Sequence, residues 1–175
     1  MELWDLIDKD RNPLRRTHNR KDPMIPGEYH IVVEILTVTS QGQLLITLRD
    51  HNKEKNPDFW EYTGGSAITG EESREAAVRE LFEETGIKVK EDELSYLGSV
   101  MGRTAIIDTY IIIKDIALKD IVLQEGETVD ARIITFAEFS SMIDRGIVAP
   151  PVVRRFSQMK DKIFQFVESS TSAEL

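Results

Sequence analysis

The sequence predicts an α/β protein in which a mixed β-sheet lies between layers of helices. Three observations support this. Segments 29–39 and 104–114 are rich in apolar, β-branched residues, which is typical of strands buried on both faces. A helical segment follows the glycine pair at 64–65, and further helices follow the later strands. Strands that alternate with helices in this order are typical of a sheet covered by helices.

The composition narrows the class of function. The 175 residues are a typical length for one domain, so we expect 1–175 to form a single domain. The net charge of −9 argues against a surface that coats nucleic acid. The absence of cysteine excludes disulfides, thiolate metal sites and a cysteine nucleophile. There is no signal-peptide pattern, and no apolar run approaches the roughly 20 residues of a membrane span.

These bounds favour a cytoplasmic protein. We expect neither a nucleic-acid polymer nor a membrane as partner. The oligomeric state stays open, with a homodimer as one option.

Residues 1–28 form an N-terminal extension before the first long strand. Segment 3–8 is short and apolar. Segment 11–22 is polar and mostly basic, and we expect a solvated loop, with contact to substrate phosphates as the alternative. Two prolines and a glycine in 23–27 break any helix and lead into the strand at 29–39.

The remaining elements follow from turn and cap signals. A turn at 40–42 predicts a hairpin whose second strand is 43–49. The next helix should begin near Ser73, as N-cap, and end at Gly86. The elements expected beyond it are strands at 94–101, 104–114 and 129–135, a short helix at 136–145, a final helix from 150 to about 168 and a frayed tail at 169–175.

The helix after the glycines carries three carboxylates in a characteristic pattern. Glu80, Glu83 and Glu84 stand at i, i+3 and i+4, so they project from one helical face. The residues that we expect to be buried on the opposite face are Ala77, Val78, Leu81 and Phe82. Because like charges repel, this grouping suits a divalent cation such as Mg²⁺ or Mn²⁺ better than a plain surface. The alternative is a solvated acidic face with an Arg79–Glu83 pair.

This segment resembles the Nudix box: a glycine, five residues, a glutamate, seven residues, then R-E-U-x-E-E-x-G-U with U apolar. Gly65 is followed after five residues by Glu71, and after seven more by RELFEETGI at 79–87, so every defined position matches. The resemblance implies the Nudix α/β/α sandwich, with the box at 65–87 as its loop–helix–loop catalytic element. It also implies metal-dependent cleavage of a diphosphate linkage in a nucleoside diphosphate derivative or related organic pyrophosphate.

In the Nudix family the box glutamates bind the metal, helped by a backbone carbonyl at the glycine that matches Gly65. The resemblance therefore implies that Glu80, Glu83 and Glu84 are ligands of Mg²⁺ or Mn²⁺. One of them also activates water, and the spacing does not say which one. Arg79 is implied to be an orienting partner of a carboxylate.

Residues outside the box complete the expected site. In the family a further acid often comes from the loop before the last strand, and we expect Glu125 in this role, with Glu127 second. Arg49 ends a strand near the box loop and is expected to bind substrate phosphate. Phe59 and Trp60 precede the glycines and are expected to contact the substrate's attached group, with a place in the core as the alternative for Trp60.

The resemblance extends upstream of the box. Nudix proteins related to type I isopentenyl-diphosphate isomerase are similar to this chain in residues 4–13, 17–33, 42–50 and 57–65. In that enzyme a cysteine and a glutamate move a proton across an alkene, and histidines bind the metal. His18 and His30 lie where two of those histidines are expected, but the cysteine is missing. The resemblance without the cysteine therefore favours hydrolysis over isomerisation, and we expect the two histidines to be structural. A non-catalytic module that senses a nucleotide is a third class of function.

Overall fold

A computed structural model gives the structure of residues 2–171. Its elements in chain order are β1 (Leu3–Ile7), β2 (Pro13–Asn19), β3 (His30–Val38), β4 (Gln43–Arg49), β5 (Trp60–Glu61), β6 (Gly64–Ser66), α1 (Ser73–Thr85), β7 (Ser95–Met101), β8 (Ala105–Ile113), β9 (Thr128–Thr135), α2 (Phe136–Asp144) and α3 (Pro150–Thr171). Short 3-10 helices occur at Glu91–Glu93 and Leu118–Asp120.

A seven-stranded mixed sheet forms the centre of the fold. Its main strand order is β5-β4-β3-β8-β7, with β6 paired to β3 and β9 paired to β4. β3 and β8 run parallel, from His30 opposite Ala105 to Val38 opposite Ile113, and the other pairs are antiparallel. The two strands with the longest apolar runs therefore lie side by side in the middle of the sheet. The predicted α/β class and mixed sheet are confirmed.

Each face of the sheet carries its own hydrophobic core. On one face, α2 and α3 pack against the sheet and bury Phe139, Phe156 and Ile163. On the other face, α1 packs against the sheet and buries Ala77 and Leu81. This arrangement of helices on both faces is the expected sandwich, and it places α1 beside β3 and β6.

Helix α1 ends as expected but differs in its start and its buried face. Gly86 adopts φ 74° and its N–H donates to the carbonyl of Phe82 at 2.8 Å, which closes the helix. Ser73 is the first helical residue rather than the cap. Phe82 was expected to be buried, yet 47% of it is exposed. At about 100° per residue, Glu84 shares the face of Ala77 and Leu81, whereas Phe82 points away from it.

The N-terminal hairpin corrects the expectation for segment 11–22. β1 and β2 pair antiparallel, with Leu3 opposite Asn19, so most of the expected loop is a strand. β1 buries Trp4 and Leu6, but the residues of β2 are mostly exposed. β2 therefore forms by backbone pairing and lacks the apolar alternation that marks a strand in sequence.

The C-terminal helix is longer than expected. α3 reaches Thr171, so residues 169–171 are helical rather than frayed, and the Thr171 hydroxyl donates to the carbonyl of Val167 at 2.8 Å. The rest of the tail, 172–175, lies outside the described residues. Within 2–171, no helix has both the length and the apolar character needed to cross a membrane.

Candidate active site

The glycine pair lets the box loop approach β3 and α1 closely. In β6, Gly64 pairs with Glu34 and Gly65 with Val33. A Cβ on Gly64 would lie 2.7 Å from the carbonyl oxygen of Val33, and a Cβ on Gly65 would lie 2.1 Å from the carboxyl carbon of Glu80. Glycine is therefore required at Gly64, where the obstructing atom is backbone, whereas the atoms over Gly65 belong to the Glu80 carboxylate.

Arg79 connects the loop to the carboxylates of α1. Its Nε and Nη2 donate to the two carboxylate oxygens of Glu71, each at 2.8 Å. Its Nη1 donates to Glu80 at 2.8 Å and to Glu83 at 3.1 Å, and Nη2 also donates to the carbonyl of Ser66 at 3.0 Å. The hydrogen bond to Glu71 and the charge of Glu80 raise the pKa of Arg79. Arg79 thus positions two of the three stacked glutamates.

Glu84 differs from the other two glutamates because it is buried. Only 6% of it is exposed, and its Oε2 has no hydrogen-bond partner among the described residues. Burial raises its pKa well above the ordinary range, and the negative charges of Glu61 and Glu80 raise it further. Buried polar atoms are nearly always partnered, so this carboxylate oxygen fits the role of a cation ligand.

The donor set fits a hard divalent cation. Within residues 2–171, no three His, Asp or Glu side chains converge closely enough to hold a metal as they stand. Arg79 binds the carboxylates of both Glu80 and Glu83. The unpartnered oxygen of Glu84 and the Glu80 carboxylate over Gly65 are nevertheless the oxygen donors that Mg²⁺ and Mn²⁺ bind.

Glu127, rather than Glu125, lies near the glutamates of α1. Its carboxylate forms an ion pair with Lys53, and its charge is among those that raise the pKa of Glu84. Glu125 is exposed at a turn where Gly126 adopts φ 76°. The turn directs Glu125 to solvent, whereas Glu127 directly precedes β9 and its carbonyl accepts the N–H of Asp50 at 2.9 Å. Of the two acids expected from this loop, Glu127, the second candidate, therefore has the position better suited to the site.

Arg49 contacts protein groups as well as the cleft. Its Nη1 donates to Glu61 at 2.6 Å, and its other nitrogens donate to the carbonyls of Lys55 at 2.9 Å and Asn56 at 3.0 Å. Glu61 is a site residue that sequence reasoning missed: it is mostly buried on β5, and burial raises its pKa. No motif marks it, and only its position beside Trp60 on a short strand would have drawn attention.

Phe59 and Trp60 pack in the core, which corrects their expected contact with substrate. Trp60 is only 6% exposed and belongs to the core beneath α2 and α3, and Phe59 packs against the same core. The guanidinium of Arg132 lies 4.4 Å from the centre of the Trp60 ring. Because Trp60 pairs with Leu48 at the edge of the sheet, its ring is directed into this core.

Both histidines have structural partners. The ring of His30 stacks on Trp4 with 3.8 Å between centroids, and its Nδ1 lies 3.0 Å from the carbonyl oxygen of Thr104. Burial lowers the pKa of His30 to about 4, so it is neutral near pH 7. His18 contacts the carbonyl oxygen of Asp22 through Nε2 at 3.1 Å. These contacts agree with the expected structural roles.

A cleft of about 1910 Å³ adjoins the box loop. Ser66 and Glu127 line its inner part, and the N-terminal hairpin forms one wall. The cations that line it come from three separate segments and are Arg20, Lys21, Arg49, Lys53, Lys55 and Arg103. Sequence reasoning included Arg20 only through the alternative role of segment 11–22 in contacting phosphates, and it missed Arg103, because spatial convergence of separate segments leaves no local pattern.

Comparisons with known proteins give a consistent picture. The family model of the NUDIX domain matches residues 28–156. A Nudix hydrolase of Listeria innocua, described as uncharacterised, is 36% identical over 151 residues, which cover 86% of this chain and 89% of that protein. A crystal structure from Deinococcus radiodurans aligns with a TM-score of 0.72 at 24% identity, over 88% of this chain and 98% of that one.

A second solved structure adds ligands to the comparison. It is a bifunctional NMN adenylyltransferase/ADP ribose pyrophosphatase from Francisella tularensis, complexed with AMP and a manganese ion. It aligns with a TM-score of 0.62 at 17% identity, over 82% of this chain and 44% of that one, which is a likeness of fold. Because the family model spans well over half of the chain and the Listeria protein matches most of it, the chain belongs to the Nudix hydrolase family.

Proposed function

We propose that this protein hydrolyses a diphosphate linkage in a nucleoside diphosphate derivative or related organic pyrophosphate, with Mg²⁺ or Mn²⁺ as cofactor. The observation that carries the proposal is the unpartnered, buried oxygen of Glu84 beside the Glu80 carboxylate. A buried carboxyl among other carboxyls destabilises the fold unless a cation compensates for it. Membership of the Nudix hydrolase family supports the same reaction class.

The residues of the site have distinct roles in this proposal. Glu80, Glu83, Glu84 and the carbonyl of Gly65 would hold the cation. When bound, it would neutralise charge at the phosphate oxygens and lower the pKa of water. Arg79 positions Glu80 and Glu83 through its hydrogen bonds at 2.8 and 3.1 Å.

A carboxylate of α1 accepts the proton of the attacking water. Glu80 is one candidate, because burial raises its pKa and makes it a stronger proton acceptor, and Glu83 is the second candidate. The further acid from the loop before β9 is Glu127, because it neighbours Glu84, whereas Glu125 is exposed.

Isopentenyl-diphosphate isomerisation fits the site less well. Proton transfer at carbon needs an acid and a base on opposite faces of the alkene. The chain has no cysteine, and the loop beside α1 presents Gly64 and Gly65. Nucleotide sensing without turnover is the other alternative, and an activity test separates it from hydrolysis.

The test is a substrate panel with a matched pair of variants. ADP-ribose, nucleoside di- and triphosphates, sugar nucleotides, dinucleotides and prenyl diphosphates are incubated with Mg²⁺ or with EDTA. Glu84→Gln should abolish turnover, whereas Glu168→Gln, the same change at an exposed position on α3, should leave it intact. Turnover that persists in EDTA or in Glu84→Gln would contradict the proposal, and tight binding without turnover would favour a sensing module.

A further inference from the structure

One wall of the cleft comes from the N-terminal hairpin, which lies outside the matched residues 28–156. At the end of β2, Arg20 enters the cleft with 57% of its side chain exposed. The family model therefore gives no role to this wall, although the cleft extends to Ser66, the neighbour of Gly65 in the box loop.

Arg20 is anchored although it is exposed. Its Nη1 donates to Glu2 at 2.7 Å, and its backbone N–H donates to the carbonyl of Glu2 at 3.2 Å. The second carboxylate oxygen of Glu2 accepts the indole N–H of Trp4 at 2.9 Å, and Trp4 stacks on His30 of β3. An exposed ion pair stabilises a fold little, so stability alone gives little reason for this anchoring. A guanidinium fixed in advance loses less entropy when it binds an anion.

The anchored guanidinium lines the same cleft as Glu127. The hydrogen bond to Glu2 raises the pKa of Arg20, and the charges of Glu127 and Glu80 raise it further. Glu127 also pairs with Lys53, which lines the same cleft. Arg20 makes one side-chain hydrogen bond among the described residues, which leaves guanidinium N–H groups available to a ligand.

We propose that Arg20 binds a phosphate of the substrate's diphosphate from the N-terminal hairpin, with Glu2 as the residue that positions it. The identity of the ligand rests on the proposed function, in which a diphosphate is the group that is hydrolysed. A guanidinium contacts two phosphate oxygens at once, whereas an ammonium contacts them as a point charge. The hairpin therefore contributes to the binding of the diphosphate.

The test measures binding without turnover. Methylenediphosphonate, which is not hydrolysed, is titrated calorimetrically in the presence of Mg²⁺ into the wild type, Arg20→Gln, Arg20→Lys and Arg16→Gln. Arg16 is the matched control, because it lies on the same hairpin, pairs with Glu28 and lines a separate cavity of about 600 Å³. We expect Arg20→Gln to weaken binding about five- to tenfold, Arg20→Lys to weaken it less, and Arg16→Gln to leave it unchanged.

Kinetics and a second variant separate binding from folding. Arg20→Gln should raise KM more than it lowers kcat, and Glu2→Gln should weaken binding less than Arg20→Gln does. Equal dissociation constants for Arg20→Gln and Arg16→Gln, at unchanged melting temperatures, would overturn the role of Arg20 even if the wild type hydrolyses diphosphates. Binding that depends on Arg20 without hydrolysis would instead overturn the proposed function and keep the binding site.

Discussion

At Gly65, the space that a side chain would need is occupied by the carboxylate of Glu80. An added Cβ would lie 2.1 Å from its carboxyl carbon and 2.2 and 2.4 Å from its oxygens, whereas ordinary contacts begin at 3.4 Å. In Gly65→Ala the carboxylate must therefore withdraw by about 1 Å or more, the difference between 3.4 and 2.1 Å. Its hydrogen bond from Arg79, 2.8 Å long, would be lost or lengthened.

The two consequences differ in size. The free energy of unfolding should change by less than about 1 kcal/mol, because a partly exposed ion pair contributes about that much and alanine restricts the unfolded chain by a similar amount. Catalysis should suffer far more. A displacement of about 1 Å in a catalytic group costs about a hundredfold in rate, so kcat should fall by about that factor.

Gly64→Ala is the matched control. Its Cβ would meet the carbonyl oxygen of Val33 at 2.7 Å and the Cα of Glu34 at 3.4 Å, which are backbone atoms of the β3–β6 pairing. Because backbone cannot rotate away, this variant should lose about 1–3 kcal/mol of stability. Urea unfolding and Mg²⁺-dependent hydrolysis are measured on the same preparations. If Gly65→Ala kept full kcat, or unfolded as easily as Gly64→Ala, the inferred contact between Glu80 and the loop would be refuted.

Three further predictions concern buried ionisable groups. In EDTA, the melting temperature should fall as pH rises above the ordinary glutamate pKa, because the raised pKa of Glu84 keeps this group protonated only in the folded state. Glu84→Gln should flatten this dependence on pH. A wild-type melting temperature that does not change with pH would contradict the prediction. His30, with a pKa of about 4, has the opposite sign: stability should fall by up to about 3 kcal/mol between about pH 6.5 and 4, and an NMR titration midpoint near 6.5 would refute its burial. Asp108→Ala removes the acceptor of the Ser73 hydroxyl and the partner of the half-exposed Arg11, and it should cost about 1–2 kcal/mol in urea unfolding. An unchanged free energy of unfolding would argue against this network.

The central strands and the box helix could be predicted because their signals are local. β3 and β8 are nearly continuous apolar runs, and their bounds lie within a residue of the expected ones. Gly86 ends α1 because only a residue without a side chain adopts φ 74° easily. The pairing of Arg79 with Glu83 follows from i, i+4 spacing and is confirmed at 3.1 Å.

The features that could not be predicted depend on contacts between distant segments. β2 is exposed and gains its conformation from pairing with β1, so its composition resembles a loop. The proximity of Glu127 to the site depends on a turn at Gly126 and on a contact with Asp50, neither of which has a sequence pattern. The helical period of about 100° per residue predicts that Glu84 shares the buried face of Ala77 and Leu81, whereas the motif groups it with Glu80 and Glu83 on one exposed face.

The distribution of cations distinguishes Glu84 from the other carboxylates of the site and supports it as a ligand of the proposed metal. Each carboxylate whose charge acts on it has a cation of its own: Glu80 is bonded to Arg79, Glu61 to Arg49 and Glu127 to Lys53. Among the described residues, Glu84 has no ion pair and retains an unpartnered oxygen. A divalent cation at this oxygen would stabilise the ionised form that burial disfavours, so binding of the metal and deprotonation of Glu84 should be linked. Calorimetric Mg²⁺ titrations in buffers of different ionisation enthalpy should therefore detect proton release that Glu84→Gln abolishes, and equal release by both proteins would contradict this linkage.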